Sequence, residues 1–325
     1  MSLQQNKVLI VTSKDDAHAD HIITLCNVRG WSERVVRLNT EDFVKNCQVS
    51  FDGSNFQVAI KDSERVLGSN EIRAVWYRRP KDFDLSSEND AYVADYIRQQ
   101  STACLRGLYF CCHDTAIWVN PLPSLHRSRN KLQQLQIAHQ LGLNPPRTIV
   151  TNNWQDARAF CSDIEKVCTK SLDEPNFILD GHIYPFFTRV LEKREIFENR
   201  ESIERCPVLF QEYIDKMFDI RVCVIGEDIF AFEIHSQEHD LSVHDFRGVA
   251  PDFLKHTPHK LPGSVEARIR RFMQRQGLIF SAMDFVLSRK GTYHFLENNP
   301  NGQWLWLEQI TGVPLSKSML RLLFG

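Results

Sequence analysis

The stretch FLENNPNGQW, residues 295–304, places one carboxylate and two amides at consecutive positions directly after an apolar segment. Glu297, Asn298 and Asn299 close this segment, and Pro300 stops it. A turn needs only one Asn or Pro at such a place, whereas a hard metal ion needs several oxygen ligands that point in the same direction. The pattern therefore leaves two interpretations, a solvated hairpin end with an Asn-Pro turn or a metal site.

A second apolar segment precedes this stretch. AMDFVLS, residues 282–288, is separated from TYHFLENNP, residues 292–300, only by Arg-Lys-Gly, so the two are expected to pair as antiparallel strands. Asp284 then lies at the same end of the hairpin as Glu297 and Asn299, which face one side because they are two residues apart. Three oxygen ligands without His or Cys favour Mg²⁺ or Mn²⁺ over zinc and leave room for substrate phosphates.

Two lysines offer cations for such phosphates. Lys131 opens a predicted helix and Lys170 ends the predicted strand VCTK. A lysine near a strand end can act as a point charge on phosphate oxygens, although each lysine is also compatible with a solvated surface position. The segment LFQEYIDKMFDIRVCVIG, residues 209–226, contains two apolar strands, and the connection between them could run past a bound purine and contact the base. An ordinary strand connection is the alternative.

The composition excludes several classes of protein. With 42% hydrophobic and 25% charged residues in a chain of 325, it is typical of a globular protein with two or three domains or lobes. The formal net charge of -2 gives no overall field for nucleic acid or an anionic membrane. We find neither a signal-peptide pattern nor an apolar run long enough to span a membrane, and expect a cytoplasmic protein. Nine scattered cysteines without a CxxC pair predict buried, reduced thiols.

The order of apolar segments predicts the organisation of the chain. The first 40 residues read as β-α-β, followed by a hairpin at Asp52-Gly53 and a strand that Pro80 stops. A long helix is predicted over about 89–112, and another from Ser128 to Gly142. The remaining residues are rich in strands, with hairpin turns at 226–228 and 290–291.

These segments together resemble the ATP-grasp superfamily. In that family a strand-borne lysine, a QEYI linker, a DIRV strand, a DFV aspartate and an ExNP ending occur in this order, here at Lys170, 211–214, 219–222, 284–286 and 297–300. The closer resemblance is to the microviridin-type peptide maturases, also called graspetide or omega-ester peptide synthetases. Five segments carry it: VWYRRP at 75–80, NKLQQLQIAHQLGL at 130–143, HSQ at 235–237, HDFR at 244–247 and NPNGQWLWLEQITGVP at 299–314.

The resemblance implies an α/β fold with α+β lobes. It comprises an N-terminal α/β pre-ATP-grasp domain at residues 1–123, a central lobe at 124–212 and a C-terminal ATP-grasp lobe at 213–325 that holds the metal. It also implies ATP and Mg²⁺ as cofactors, with two ions and Mn²⁺ as a substitute, and a homodimer. Many ATP-grasp enzymes have a glycine-rich loop after the strand lysine, whereas this chain offers only Gly181 there.

The implied activity is macrocyclisation of a ribosomally made precursor peptide. Its Asp or Glu side chains would be phosphorylated to acyl phosphates, which Thr or Ser hydroxyls attack to form esters, or Lys amines to form amides; the ester type is favoured. One alternative is an ATP-grasp ligase that adds free amino acids such as glutamate to a peptide or protein terminus. A second is a non-catalytic ATP-grasp module that binds peptide.

The resemblance also assigns roles to individual residues. Asp284, Glu297 and Asn299 would hold Mg²⁺, while Lys131 and Lys170 would neutralise phosphates. The adenine would meet Glu212, Tyr213 and Ile214, and the ribose would meet Asp219. Arg221 would stabilise the transferring phosphoryl group. Arg78, Arg79 and Arg247 would lie near the acceptor carboxylate or the leader peptide, or else be surface arginines that pair with Asp82 or Asp245.

Overall fold

The computed structural model describes residues 6–63, 65–173, 176–179 and 182–325. Gly181 and part of the polar loop around it lie outside the described residues. No helix in the described part of the chain is both long enough and apolar enough to pass through a lipid bilayer.

The described strands form five sheets. In chain order they are β1 (Lys7–Thr12), β2 (Val35–Asn39), β3 (Cys47–Phe51), β4 (Phe56–Ile60), β5 (Arg65–Gly68), β6 (Ile72–Tyr77), β7 (Ile117–Val119), β8 (Thr148–Thr151), β9 (Val167–Thr169), β10 (Asn176–Leu179), β11 (His182–Pro185), β12 (Arg189–Leu191), β13 (Val208–Glu212), β14 (Lys216–Ile225), β15 (Asp228–Ile234), β16 (His256–His259), β17 (Phe280–Ser288) and β18 (Tyr293–Asn299). The helices are α1 (Ala17–Val28), α2 (Phe43–Asn46), α3 (Ala91–His113), α4 (Leu122–Ser128), α5 (Lys131–Gln140), α6 (Trp154–Ser162), α7 (Lys193–Glu198), α8 (Arg200–Arg205), α9 (Gly263–Gln276), α10 (Leu305–Thr311) and α11 (Leu315–Phe324).

The chain divides into two compact units. One contains the described residues up to Leu122 together with Leu278–Phe280 and Pro314–Gly325, and the other contains Pro123–Gly277 and Ser281–Val313. The last helix, α11, therefore packs with the N-terminal unit, although the predicted C-terminal lobe ran to residue 325. The predicted lobe boundaries at 123 and 212 stay predictions.

The first unit is built on a parallel sheet in the order β2-β1-β6-β7. β1 has five consecutive buried residues, as expected for a central parallel strand that is covered on both faces. The predicted β-α-β opening is confirmed as β1, α1 and β2. The predicted hairpin at Asp52-Gly53 is confirmed as β3 and β4, where Gly53 adopts a φ of 93°, a conformation that glycine adopts readily.

The second unit contains two larger antiparallel sheets and a two-stranded hairpin. The smaller sheet has the order β12-β9-β13-β8 and the larger one β16-β15-β14-β17-β18, while β10 pairs with β11. The smaller sheet packs against α6, α7 and α8 through a core that includes Cys161, Val167, Ile196, Ile203 and Phe210. Both predicted hairpin turns, at 226–228 and 290–291, are confirmed.

The helix predicted from Ser128 to Gly142 is divided in the structure. α4 ends at Ser128 and α5 begins at Lys131, because Asn130 leaves the helical conformation and its side chain accepts a hydrogen bond from the amide of Gln133 at 3.0 Å. This N-cap sets Lys131 as the first residue of α5. The nine cysteines are free thiols as predicted, but only five are buried, and Cys111 and Cys206 are exposed.

Candidate active site

Two carboxylates face each other at one end of the β17–β18 hairpin. Asp284 is the register partner of Glu297, and Ala282 is the partner of Asn299. The predicted placement of Asp284, Glu297 and Asn299 at the same end of the hairpin is therefore confirmed, and their role as metal ligands stays a prediction. The pairing register shifts after Asp284, so that Phe285 pairs with Phe295, and this bulge re-aims the strand end that carries the polar residues.

Both predicted lysines lie beside Glu297. Lys131 Nζ is 3.8 Å from Glu297 Oε2 and donates to the carbonyl of Ser171 at 2.6 Å. Lys170 Nζ donates to the carbonyl of Leu296 at 3.4 Å. Burial would raise the pKa of Glu297, but Lys170 and Lys131 hold it below its usual range. Burial also lowers the pKa of Lys131, and the positive end of α5 adds to the cationic surroundings.

Arg221, on the central strand β14, is bound to Asp284. Its Nη1 donates to both carboxylate oxygens at 2.8 Å, and its Nη2 donates to the carbonyl of Gln303 at 3.0 Å. The guanidinium Nε is buried and has no hydrogen-bond partner among the described residues. A buried cationic donor without an oxygen partner costs free energy, and the Cys223 thiol beside the guanidinium is only a weak acceptor.

The oxygen set of this site fits a divalent cation. Burial raises the pKa of Asp284, Arg221 opposes this shift, and the facing Glu297 adds to it. A hard cation would relieve the repulsion between the two carboxylates and accept their oxygens as ligands. The Asn299 Oδ1 accepts a hydrogen bond from the amide of Asn301 at 3.0 Å. No cluster of three or more His, Cys, Asp or Glu side chains suited to a metal occurs in the described residues, so an amide is needed to complete a three-ligand set.

The linker predicted to meet adenine follows β13. The amide of Glu212 donates to the carbonyl of Arg147 and the amide of Tyr213 donates to the carbonyl of Lys166, both at 2.8 Å. Because these two amides already donate within the sheet, the carbonyl groups of the linker and the main chain of Ile214 are left to contact the adenine. Tyr213 Oη donates to the carbonyl of Val243 at 3.1 Å, and burial raises the pKa of Tyr213 to about 12.

The residue predicted to bind ribose, Asp219, is buried in an ion pair. Its Oδ2 lies 2.7 Å from Lys216 Nζ and also accepts a hydrogen bond from the hydroxyl of Ser236. Burial raises the pKa of Asp219, although Lys216 and Ser236 oppose the shift. A ribose contact would therefore have to share this carboxylate with Lys216, a residue that the sequence did not single out.

The three arginines predicted near the substrate have different surroundings. Arg78 belongs to the first unit, is 1% exposed and pairs with Asp16, so the alternative of a surface arginine is wrong for it. Arg79 is exposed. Arg247 binds Asp245 through two hydrogen bonds of 2.8 and 2.6 Å, which confirms the pairing alternative. It nevertheless lies close enough to Glu297 to lower the pKa of that carboxylate.

Gly302 fits a space that no larger residue can occupy. A Cβ at this position would lie 2.4 Å from the Ala282 Cβ, 2.9 Å from Arg221 Nη2 and 3.2 Å from the carbonyl oxygen of Asn299. The glycine in NPNGQW thus allows the turn after β18 to approach β17 and the Arg221 guanidinium. The sequence motif contained this glycine, but only the structure reveals the close approach.

Gly302→Ala is expected to lower the free energy of unfolding by about 1–3 kcal/mol because the added methyl overpacks the site. It should also lower the catalytic turnover of the protein, because the added methyl displaces the Arg221 guanidinium. Chemical denaturation and a turnover assay measure the two effects. Gly263→Ala is the matched control, since its Cβ would meet nothing within 4 Å. Wild-type stability and turnover in Gly302→Ala would show that the close approach at Gly302 is not required.

Comparisons with known proteins identify a related domain and related folds. A family model described as the MvdD pre-ATP grasp domain matches residues 7–126. No curated protein sequence gives a significant match to the chain. Among solved structures, a Chryseobacterium gregarium RiPP-associated ATP-grasp ligase, in complex with ADP and a leader and core peptide, has a TM-score of 0.87 and 27% identity. The match covers 98% of this chain and 96% of that chain.

Two macrocyclases of Microcystis aeruginosa MRC are also similar. MdnC, solved with the precursor peptide MdnA, has a TM-score of 0.81 and 28% identity over 98% of this chain and 99% of its own. MdnB has a TM-score of 0.78 and 28% identity over 98% of this chain and 100% of its own. With the pre-ATP-grasp domain matched over residues 7–126 and the fold shared over nearly the whole length, the chain is similar to the graspetide macrocyclases, and these matches support an ADP-forming ATP-grasp ligase.

Proposed function

We propose that this ligase macrocyclises a ribosomally made precursor peptide at the expense of ATP. The observation that supports it most directly is the group of charges at the end of the β17–β18 hairpin. Two facing carboxylates are enclosed by the cations Lys131, Lys170 and Arg221, which suits a polyphosphate and its divalent cation. The similar ligases and macrocyclases solved with ADP or precursor peptide support a peptide as the second substrate.

The chemistry begins at a side-chain carboxylate of the peptide. Its oxygen attacks the γ-phosphorus of ATP, the bond to the β,γ-bridging oxygen breaks, and ADP leaves, which gives an acyl phosphate. A Thr or Ser hydroxyl of the same peptide then attacks the acyl carbon, loses its proton and displaces phosphate. The ester formed in this way makes the peptide lighter by one water. A Lys amine would give an amide by the same steps.

The residues of the chain supply charge and position. Asp284, Glu297 and Asn299 would hold Mg²⁺, which when bound would neutralise the phosphates and polarise the transferring phosphoryl group. Lys131 and Lys170 would bind phosphate oxygens. The guanidinium of Arg221, held by Asp284, would stabilise the negative charge of the transferring phosphoryl group and then of the acyl phosphate. The adenine is assigned to Glu212, Tyr213 and Ile214, and the ribose to Asp219.

Several finer features stay part of this proposal. They are the ester rather than the amide product, a second Mg²⁺, replacement of Mg²⁺ by Mn²⁺, a homodimer, a cytoplasmic location and the three-domain division at residues 123 and 212. Arg79 and Arg247 are proposed to contact the acceptor carboxylate or the leader peptide. The buried ion pair of Arg78 with Asp16 favours a structural role for that arginine instead.

The test is to incubate the purified protein with Mg²⁺, ATP and the acidic, Thr- or Ser-rich peptide encoded beside its gene, and to record the intact mass of the peptide. We expect the loss of one water per linkage together with release of ADP, and hydrolysis in mild base would identify esters. A gain in mass that equals added amino acids would indicate the ligase that extends a terminus. Binding of ATP and peptide without any change of mass would indicate a non-catalytic module.

A further inference from the structure

Gln134, in the second turn of α5, holds the main chain of the strand that carries the metal-binding residues. Its Nε2 donates to the carbonyl of Asn298 at 2.8 Å, and its Oε1 accepts from the amide of Asn298 at 2.8 Å. The same Nε2 donates to the carbonyl of Ser128 at 2.7 Å. The side chain is 2% exposed, so these hydrogen bonds are shielded from water.

These contacts replace a neighbouring strand. β18 is the last strand of its sheet, and the edge of a sheet leaves main-chain amides and carbonyls without strand partners. At Asn298 one carboxamide satisfies both groups, in the pattern that a paired strand would provide. The Asn298 side chain is fixed separately, because its Oδ1 accepts a hydrogen bond from the hydroxyl of Ser281 on β17.

Asn298 lies between two predicted metal ligands, Glu297 before it and Asn299 after it. The main-chain position of Asn298 therefore sets the positions of both flanking side chains. Lys131 lies three residues before Gln134 on α5, and its ammonium is 3.8 Å from Glu297. Residues three apart lie on one face of a helix. One helix face therefore fixes a phosphate-binding cation and the metal-binding strand in a single register.

We propose that Gln134 is a positioning residue of the metal site: it sets Glu297 and Asn299 relative to Asp284, and the affinity for the divalent cation depends on it. This inference rests on the metal site of the proposed function. Residues that orient metal ligands from behind typically contribute a factor of about 10–100 to metal affinity. Gln134 acts through the main chain, and the effect on Mg²⁺ affinity is expected near the lower limit, at about tenfold.

The test compares two variants of one helix. Gln134→Met keeps the length of the side chain but removes the three hydrogen bonds, and Gln136→Met makes the same change at an exposed position of α5. Binding of ADP to the full-length protein is measured by calorimetry in EDTA and over a series of Mg²⁺ concentrations. In Gln134→Met, we expect the concentration of Mg²⁺ that half-saturates its effect on ADP binding to rise about tenfold. The affinity for ADP in EDTA should be unchanged, and Gln136→Met should behave like the wild type.

Each other outcome gives a distinct answer. A folded Gln134→Met protein with the same Mg²⁺ dependence as Gln136→Met would overturn the positioning role. Equal weakening of ADP binding with and without Mg²⁺ would also overturn it, because it would indicate general damage to the lobe. If the affinity of the wild-type protein for ADP does not depend on the Mg²⁺ concentration, the proposed metal site itself is overturned. If circular dichroism shows that Gln134→Met does not fold, Gln134→Asn, whose amide is too short to bind both groups of Asn298, is measured against the same predictions.

Discussion

Glu297→Gln is expected to lower the rate of peptide modification by about 10³-fold while the protein remains folded. A divalent ion at a transferring phosphoryl group lowers the activation free energy by several kcal/mol, and a loss of about 4 kcal/mol corresponds to a 10³-fold lower rate. The substitution keeps the shape of the side chain and removes its charge. In the wild type the pKa of Glu297 is lowered, against the effect of burial, by Lys170 and Lys131. The carboxylate is therefore ionised at neutral pH and available as a ligand.

The same variant should separate metal binding from nucleotide binding. Without the negative charge of Glu297, the ammonium of Lys131 3.8 Å away is freer to bind phosphate, so ADP affinity in EDTA should be kept or increased. The enhancement of ADP binding by Mg²⁺ should be lost. Turnover by mass spectrometry and ADP titration with and without Mg²⁺ measure these effects.

Glu227→Gln is the matched control, since this carboxylate is 99% exposed on a hairpin turn of the same sheet. Its turnover and Mg²⁺ dependence should be those of the wild type. Wild-type turnover in Glu297→Gln would remove this residue from the ligand set. Loss of activity with full Mg²⁺ dependence of ADP binding would assign Glu297 a role other than metal binding.

The local part of this site was predictable from the sequence. The pairing of β17 with β18 follows from two apolar runs around a short turn, and the period of two along a strand places Glu297 and Asn299 on one side. The partners of Asp219 were not predictable in this way. Lys216 is only three residues away, but Ser236 reaches the carboxylate from beyond β15, and no local pattern indicates that all three are buried together.

Tertiary contacts explain the other surprises as well. Gln134 lies in the segment 130–143 that resembles the peptide maturases, yet its role depends on Asn298, 164 positions away in the chain. The signal available in the sequence was the helical spacing of three residues, which places Gln134 on the same helix face as Lys131. Arg78 follows an apolar strand and was expected either near substrate or at the surface. Its burial depends on the N-terminus of α1, where Asp16 provides the counter-charge.

Arg78→Met is expected to lower the free energy of unfolding of the first unit by about 3–5 kcal/mol, because it leaves the buried charge of Asp16 without its cation. Both side chains are 1% exposed, and Arg78 Nε lies 3.1 Å from Asp16 Oδ2. Asp16 also accepts a hydrogen bond of 2.6 Å from the hydroxyl of Thr12 and one of 3.1 Å from the amide of His18, where it caps α1. Thermal and chemical denaturation measure the loss, and Arg79→Met, at the exposed neighbouring position, should change the free energy of unfolding by no more than about 0.5 kcal/mol.

The dependence on pH distinguishes an unpaired charge from a simple loss of packing. In the wild type burial would raise the pKa of Asp16, but Arg78 holds it at about 2, below the value of about 4 in an unfolded chain. The pair therefore stabilises the folded state above about pH 4, and this contribution is lost as the pH falls towards 2. In Arg78→Met burial, the two hydrogen bonds and the His18 imidazole, whose Nδ1 lies 3.7 Å from Asp16 Oδ1, act on Asp16, and its pKa should rise because the largest opposing charge is gone.

Removal of Arg78 also removes a charge that lowers the pKa of His18. Lowering the pH from about 7 to about 5 should consequently add a proton to the Asp16–His18 pair in the Arg78→Met variant, which compensates the buried charge and narrows the deficit relative to the wild type. Asp16→Asn combined with Arg78→Met removes both charges and keeps an amide that can cap α1, so the double variant should be more stable than Arg78→Met alone. A deficit that stays constant with pH, and that the second substitution deepens, would instead show that Arg78 stabilises the unit through its guanidinium over Trp76, whose ring centroid lies 5.4 Å from the guanidinium carbon.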